Sequence, residues 1–205
     1  MNARILPCGP TAVVIEVHGT DQAIELSMWL RARELAGVTE LVPAATTVLV
    51  QTSTAAALAG LDALVAEFEP TGRPGITGQL VAIDTVYDGE DLDDVATAAG
   101  ISVEAVVALH SEATYIAAFC GFVPGFAYLT GLAPQLQLPR RSSPRPRVPA
   151  GSVAIATSFT GVYPTASPGG WNLLGRTEAT MWDDHRERPA LVEPGDRVRF
   201  VPVGR

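Results

Sequence analysis

The sequence has few of the features that identify a membrane protein or a nucleic-acid-binding protein. Charged residues make up 18% of the chain and the net charge is −8, whereas non-specific nucleic-acid binding needs a basic face. No apolar run approaches the roughly 18 residues of a membrane-spanning helix. The first residues, MNARILPCGP, lack the apolar core of a signal peptide. We therefore expect a cytoplasmic protein that binds neither membrane nor nucleic acid.

Cysteine and histidine are also scarce. Cys8 and Cys120 form no CxxC pair, so we expect reduced thiols. His18, His110 and His185 are not spaced as metal ligands, so no metal site is predicted. The chain has no GxSxG motif, no P-loop and no GxGxxG motif after a strand. Taken alone, it lacks the signature of a self-sufficient enzyme.

Apolar residues, by contrast, are abundant. They make up 47% of the 205 residues, enough for the core of one large domain or two small ones. The charged content is below the usual quarter of residues. Two interpretations remain open: a partner covers part of the surface, or alanine inflates the apolar count.

The first third of the sequence predicts a small α+β domain at 1–75. The predicted elements are strands at 11–17 and on either side of Pro43 within 38–52, helices at 21–37 and 54–69, and a linker at 69–75. The order β-α-β-β-α is typical of a ferredoxin-like arrangement.

A second domain is predicted at 79–205. It begins with a strand at 80–89, followed by two short helices that Asp91 and Ser102 would cap. From Thr114 onwards, short β-rich segments alternate with Gly/Pro turns, a spacing that favours a β-barrel or sandwich.

The run GFVPGFAYLTGL (121–132) combines glycines, a proline and aromatics without a charge. Pro124 and Gly125 would form a corner. Phe122, Phe126 and Tyr128 alternate, so they share one side if the segment is extended. The run is either an aromatic plug of the core or the wall of a pocket.

Four arginines lie within eight residues of the run LPRRSSPRPRVPAGSV (138–153). They are Arg140, Arg141, Arg145 and Arg147. Three prolines stiffen the run, which lowers the entropy cost of presenting guanidinium groups to a carboxylate or phosphate. The cluster is either a solvated loop or a preorganised anion site.

A third run, GVYPTASPGGWNLLGR (161–176), contains a turn with little side-chain bulk. Pro168, Gly169 and Gly170 would form a tight turn that exposes backbone N–H groups able to hold an oxyanion, beside the ring of Trp171. Arg176 ends the run. An ordinary hairpin turn is the alternative.

Two further features have plain explanations. The acidic residues crowded at 84–94 lack a calcium-binding pattern and are interpreted as a solvated face. His110 ends an apolar helix, where it either satisfies carbonyl groups or lines a site.

The three runs, with PGDRVRFVPV at 194–203, together resemble the allophanate hydrolase subunit 1 family. That family includes the PxpB subunit of bacterial 5-oxoprolinase and the histidine-kinase inhibitor KipI. The motifs occur in the family's order over most of 79–203.

The resemblance implies a cyclophilin-like β-barrel after the α+β domain, and a heteromeric partner of the subunit 2 type (PxpC or KipA). It also implies a third component of the LamB/YcsF type (PxpA). The assembly would open 5-oxo-L-proline to L-glutamate with ATP used at the level of the complex. Inhibition of a sensor kinase, or action on allophanate or urea, are the alternatives.

No catalytic residue is predicted. Arg140, Arg145, Arg147, Ser167, Gly169, Gly170 and Arg176 are candidates for anion binding, and Phe122, Pro124, Gly125, Phe126, Tyr128, Trp171 and His110 for a pocket wall.

Overall fold

The structure is a computed structural model that describes residues 3–72 and 78–204. The chain divides into two compact units, Met1–Gly75 and Ile76–Arg205. The linker predicted at 69–75 lies partly outside the described residues.

The first unit is a four-stranded antiparallel sheet with two helices and a 3₁₀ turn. Its elements are β1 (Arg4–Pro7), β2 (Ala12–Glu16), α1 (Thr20–Arg31), β3 (Val38–Pro43), β4 (Thr47–Thr52), the 3₁₀ turn Ala55–Leu58 and α2 (Leu61–Ala66). The sheet order is β1-β2-β4-β3. Ile15 and Val50 of the sheet pack with Leu26 and Leu30 of α1 in a buried core.

The predicted ferredoxin-like arrangement is not confirmed for this unit. The edge strand β1 pairs with β2 ahead of the first helix, a strand that the sequence did not predict. The helix predicted at 54–69 is interrupted, because Gly60 adopts a positive φ of 79° between the 3₁₀ turn and α2.

The second unit contains a seven-stranded sheet that almost closes on itself. Its elements are β5 (Leu80–Thr85), α3 (Leu92–Ala99), α4 (Val103–Ser111), β6 (Tyr115–Cys120), β7 (Ala127–Thr130), the 3₁₀ turn Pro134–Leu136, β8 (Arg145–Val148), β9 (Ser152–Ala156), β10 (Phe159–Val162), β11 (Ser167–Gly169), β12 (Asn172–Arg176) and β13 (Arg197–Pro202). The sheet order is β12-β9-β10-β7-β6-β13-β5.

A single bridge joins the two ends of this sheet. Val86, just after β5, donates its N–H to the carbonyl of Arg176 at 2.9 Å, and Arg176 returns the bond at 2.8 Å. The sheet is therefore consistent with the cyclophilin-like barrel. Strands β8 and β11 form a separate two-stranded sheet.

The strands of the barrel wall present different side chains on their two faces. On β9, Val153 and Ile155 join the aliphatic core, whereas Ala154 and Ala156 join a second, aromatic cluster. Successive residues of a strand point to opposite faces. The aromatic cluster therefore lies on the other side of the wall from the aliphatic core.

The residues before the two helices behave differently. Ser102 accepts a hydrogen bond from the N–H of Ala105 at 3.2 Å, as a helix cap does. Asp91 precedes α3, but its side chain makes no capping bond and is buried. The interpretation of 84–94 as a solvated face is wrong at Asp91, because its carboxylate bonds to two arginines.

Within the described ranges, none of the helices has both the length and the apolar character needed to cross a bilayer.

Candidate functional site

A cavity of about 240 Å³ lies on the aromatic side of the barrel wall. Its lining comes from all three of the Gly/Pro-rich runs: Phe122, Phe126, Tyr128, Arg140, Pro144, Tyr163, Pro168, Gly169, Gly170 and Trp171. Segments that are far apart in the sequence therefore meet at one concave surface.

The aromatic rings of the cavity pack mostly edge to face. The ring of Trp171 lies 5.3 Å from that of Phe126 and 5.6 Å from that of Tyr128, and Phe126 lies 5.4 Å from Tyr163. A Cβ at Gly161 would collide with the carbonyl oxygen of Ala127 at 2.9 Å, so this position beside the rings of Phe126 and Trp171 suits a glycine. The rings form a rigid apolar wall.

Two phenol groups add polar donors to this wall. Burial raises the pKa of Tyr128 and of Tyr163. The positive charge of Arg140 opposes the rise at Tyr128, whereas at Tyr163 a hydrogen bond with the backbone of Trp171 opposes it first and Arg140 second. Both phenols are therefore protonated at neutral pH. A side chain at Gly169 would collide with the hydroxyl group of Tyr163, so the glycine turn lies directly against this donor.

Phe122 lies at the rim of the cavity in an unusual backbone conformation. Its φ is +74°, a region that costs a residue with a side chain roughly 1–2 kcal/mol. The side chain is 59% exposed and packs edge-on against Phe126, with the ring centres 5.6 Å apart. Strain of this kind, next to a cavity and on an exposed aromatic side chain, suggests a functional role.

The arginines of the run 138–153 are not equivalent. Arg145 donates to Asp91 at 2.7 Å and to Glu90 at 3.2 Å, and Arg141 also forms an ion pair with Asp91. The hydrogen bond to Asp91 is the largest contribution that raises the pKa of Arg145. The charges of Arg141 and Arg145 are therefore compensated within the chain.

Arg140 is the arginine that lines the cavity. Nowhere in residues 3–72 and 78–204 does its guanidinium group find an acidic partner. Its backbone is fixed on both sides: Asn172 donates to the carbonyl of Pro139 at 3.0 Å, and the N–H of Arg141 donates to the carbonyl of Gly170 at 2.8 Å. Arg140 thus provides an uncompensated positive charge beside the two phenols.

Several predicted site residues lie elsewhere. Arg147 is exposed on β8, and Arg176 pairs with Asp88 and Glu178. Ser167 lies on β11, and its buried hydroxyl has no hydrogen-bond partner in the described part of the chain. None of the three lines the cavity.

The corner residues of 121–132 do not line the cavity either. Pro124 is exposed. Gly125 is buried, and a Cβ there would approach Trp182 at 2.9 Å. Both shape the loop that carries Phe122.

His110 lies in the interior of the barrel. It is 0% exposed, with Nδ1 at 2.7 Å from the hydroxyl of Tyr87 and Nε2 at 2.8 Å from that of Thr160. Thr160 donates its own proton to the carbonyl of Ala154, so Nε2 carries the hydrogen and Nδ1 accepts. Burial lowers the pKa of His110 to about 3.

Tyr163 and Pro144 line the cavity although neither was a predicted site residue, whereas Pro168 belongs to the turn predicted at 168–170. Tyr163, Pro144 and Pro168 all belong to the Gly/Pro-rich runs. A signal for Tyr163 was present, since it is an aromatic residue within the third Gly/Pro-rich run and directly follows β10.

The lining contains donors but no acid or nucleophile of the usual kinds. Among the lining residues there is no carboxylate, thiol, imidazole or aliphatic hydroxyl. A guanidinium group and two phenols beside aromatic rings suit a small ligand with a negative charge and a flat apolar body.

A family model and a bacterial relative each match this chain over almost its whole length. The family model described as carboxyltransferase domain, subdomain C and D, matches residues 3–192. The B subunit of 5-oxoprolinase from Escherichia coli O157:H7 is 41% identical over 209 residues, covering 98% of this chain and 96% of that protein.

Solved structures share the fold as parts of longer chains. The crystal structure of TTHA0988 matches with a TM-score of 0.79 and 38% identity, over 95% of this chain and 40% of that one. The urea carboxylase of Kluyveromyces lactis matches with a TM-score of 0.74 at 19% identity, over 98% of this chain and 22% of that one. This chain therefore spans less than half the length of either.

The family model covers most of the chain, and the bacterial relative is similar from end to end. The chain belongs to the carboxyltransferase subdomain C and D family, and within it to the allophanate hydrolase subunit 1 (PxpB) proteins.

Proposed function

We propose that this chain is the PxpB subunit of a 5-oxoprolinase, which opens 5-oxo-L-proline to L-glutamate at the expense of ATP. The observation that carries the proposal is the 41% identity over 98% of the chain to the B subunit of the Escherichia coli 5-oxoprolinase. The name of that relative implies an enzyme of several subunits. A subunit 2 (PxpC-like) partner and a LamB/YcsF-type component complete the proposed assembly.

The geometry of the cavity supports this substrate. 5-Oxo-L-proline is a flat five-membered lactam with one carboxylate. The guanidinium group of Arg140 would bind the carboxylate, and the ring would lie against the aromatic wall that Phe126 and Trp171 form. Tyr128 and Tyr163 would donate to the remaining oxygen, because both phenols are protonated.

The composition of the cavity also supports a requirement for other subunits. Opening a lactam needs a nucleophile or an activated water, together with a group that accepts a proton. The lining residues supply positive charge and donors only. This chain would bind and orient the substrate, and a second polypeptide would supply the reacting groups.

We infer that the nucleotide binds outside this cavity. Its volume of about 240 Å³ is below the roughly 300–1,000 Å³ that is common for sites of drug-sized ligands. The chain also lacks a phosphate-binding P-loop. We therefore assign no ATP contact to this cavity.

Reconstitution of the complex tests the proposal. The tagged chain is purified with candidate subunit 2 and LamB/YcsF-type proteins, and ATP hydrolysis and glutamate formation are measured with 5-oxo-L-proline, allophanate and urea. We expect glutamate formation with 5-oxo-L-proline that requires every component.

Turnover of allophanate or urea in place of 5-oxo-L-proline would overturn the proposed substrate. A chain that leaves all three substrates unchanged, yet lowers the autophosphorylation of a sensor kinase, would point to a KipI-like inhibitor instead.

A further inference from the structure

We propose that Asp91 is a positioning residue for this site. It would hold the guanidinium groups of Arg141 and Arg145 and thereby direct Arg140 into the cavity. Its effect on substrate binding rests on the proposed function, whereas its effect on residues 140–145, here called the arginine segment, does not.

Asp91 is joined to β12 and to the arginine segment at once. One carboxylate oxygen, Oδ2, accepts from the N–H of Leu173 at 2.7 Å. The other, Oδ1, accepts from Arg145 at 2.7 Å and from Arg141. The backbone N–H of Asp91 also donates to the carbonyl of Leu173 at 3.2 Å. These bonds to the carboxylate and to the backbone fix this residue against β12.

The bonds of Asp91 reach the cavity through residues adjacent to Arg140. Arg141 follows Arg140 directly, and its N–H donates to Gly170, which itself lines the cavity. Pro144, another lining residue, precedes Arg145. Fixing the side chains of Arg141 and Arg145 therefore fixes the chain at both ends of the short segment between them.

Burial makes the interaction strong. The side chain of Asp91 is 2% exposed, and that of Arg145 17%. A buried carboxylate that loses its cations is left uncompensated, and this is far more costly than the loss of an exposed pair. Glu90 provides the contrast, because it bonds to the same Arg145 but is 73% exposed.

The experiment compares Asp91→Asn with Glu90→Gln, each made in the full chain. Asn keeps the size of the side chain and an oxygen for the N–H of Leu173, and removes the charge. We expect Asp91→Asn to speed hydrogen exchange at the N–H of Arg141 by at least about tenfold through local opening. In the reconstituted complex it should raise KM for 5-oxo-L-proline by at least about tenfold, with a smaller change in kcat.

Glu90→Gln should change neither quantity, since its pair is exposed. Should Asp91→Asn fail to fold, Arg145→Gln tests the same ion pair by removing the charge of the arginine. Arg145→Lys restores that charge, so its KM should lie between those of the wild type and Arg145→Gln.

The outcomes separate the two proposals. Unchanged hydrogen exchange at Arg141 overturns the positioning role, whatever the activity. Faster exchange with an unchanged KM also overturns it, because Arg140 would then not depend on Asp91. Faster exchange in a complex whose wild type does not turn over 5-oxo-L-proline overturns the proposed substrate and leaves the positioning role in place.

Discussion

The two faces of the barrel wall alternate along the same strands but contain different kinds of side chain. On the inner face, residues such as Leu129, Ile155 and Leu174 pack in a mostly aliphatic core that also contains the rings of Tyr115 and Phe200. On the outer face, Phe126 and Trp171 form an aromatic wall beside an open cavity.

The two faces also differ in whether their polar groups have partners within the chain. On the inner face, His110 has both ring nitrogens satisfied by Tyr87 and Thr160. On the outer face, Arg140 has a charge that no acidic side chain in the described ranges compensates. A polar group with satisfied bonds specifies packing, whereas a charge left open at a cavity is available to a ligand. This difference separates a residue that stabilises the fold from one that binds.

The largest expected effect comes from removing the open charge. Arg140→Gln should lower kcat/KM for 5-oxo-L-proline in the reconstituted complex by roughly 10- to 100-fold, because a hydrogen bond to a charged group contributes about 1.5–3 kcal/mol. The free energy of unfolding of the isolated chain should not fall, since Arg140 forms no ion pair within the described ranges that would be lost.

Arg147→Gln is the matched control for Arg140→Gln. Arg147 lies in the same run and is exposed, but it does not line the cavity. Equal losses of activity in the two variants would mean that the run acts through its total charge, and the distinction between the arginines would be wrong.

Much of the site was predictable from the sequence because glycine, proline and aromatic residues restrict the local backbone strongly. The three runs do meet, and the predicted residues Phe122, Phe126, Tyr128, Gly169, Gly170 and Trp171 line one cavity with Arg140.

What the sequence could not predict is that Arg141 and Arg145 are paired, whereas Arg140, within the described ranges, is left unpaired at the cavity. That difference depends on Asp91, which lies 50 residues before Arg141 and 54 before Arg145. Local sequence alone predicts that an Asp before a helix is a cap. Only the pairing of β12 with the segment before α3 brings this carboxylate to the arginines. For the same reason β1 was missed, since an edge strand of four residues depends on its partner for definition.

The second prediction concerns the inner face and the pH dependence of stability. Burial lowers the pKa of His110 to about 3 from an ordinary value near 6.5. The unfolded chain therefore takes up a proton at this residue first, and the free energy of unfolding falls as the pH falls from about 6.5 towards 3. At pH 5 the loss should be about 2 kcal/mol relative to pH 7.5.

Denaturant unfolding at pH 7.5 and pH 5 measures this loss. His110→Gln should be less stable at pH 7.5 and should show a smaller drop between the two pH values. His18 and His185 are exposed, so variants of these residues serve as controls. A wild-type chain equally stable at both pH values would contradict the buried neutral imidazole.

The smallest expected effect on stability is at the rim of the cavity. Phe122→Gly removes the side chain that makes the backbone conformation at φ +74° unfavourable, while it also removes the edge contact with Phe126. These contributions oppose each other, so the free energy of unfolding of the isolated chain should change by no more than about 1 kcal/mol. The activity of the complex should nevertheless fall, because an exposed aromatic side chain held in a strained conformation beside a cavity points to a role in binding.

Phe159→Leu is the matched control, because Phe159 packs against the same aromatic cluster but lies outside the cavity lining. It should behave in the opposite way, with reduced stability and little loss of activity. If Phe122→Gly instead destabilised the chain by several kcal/mol at unchanged activity, the outer face would also serve mainly for packing, and the contrast between the two faces would no longer hold at the rim.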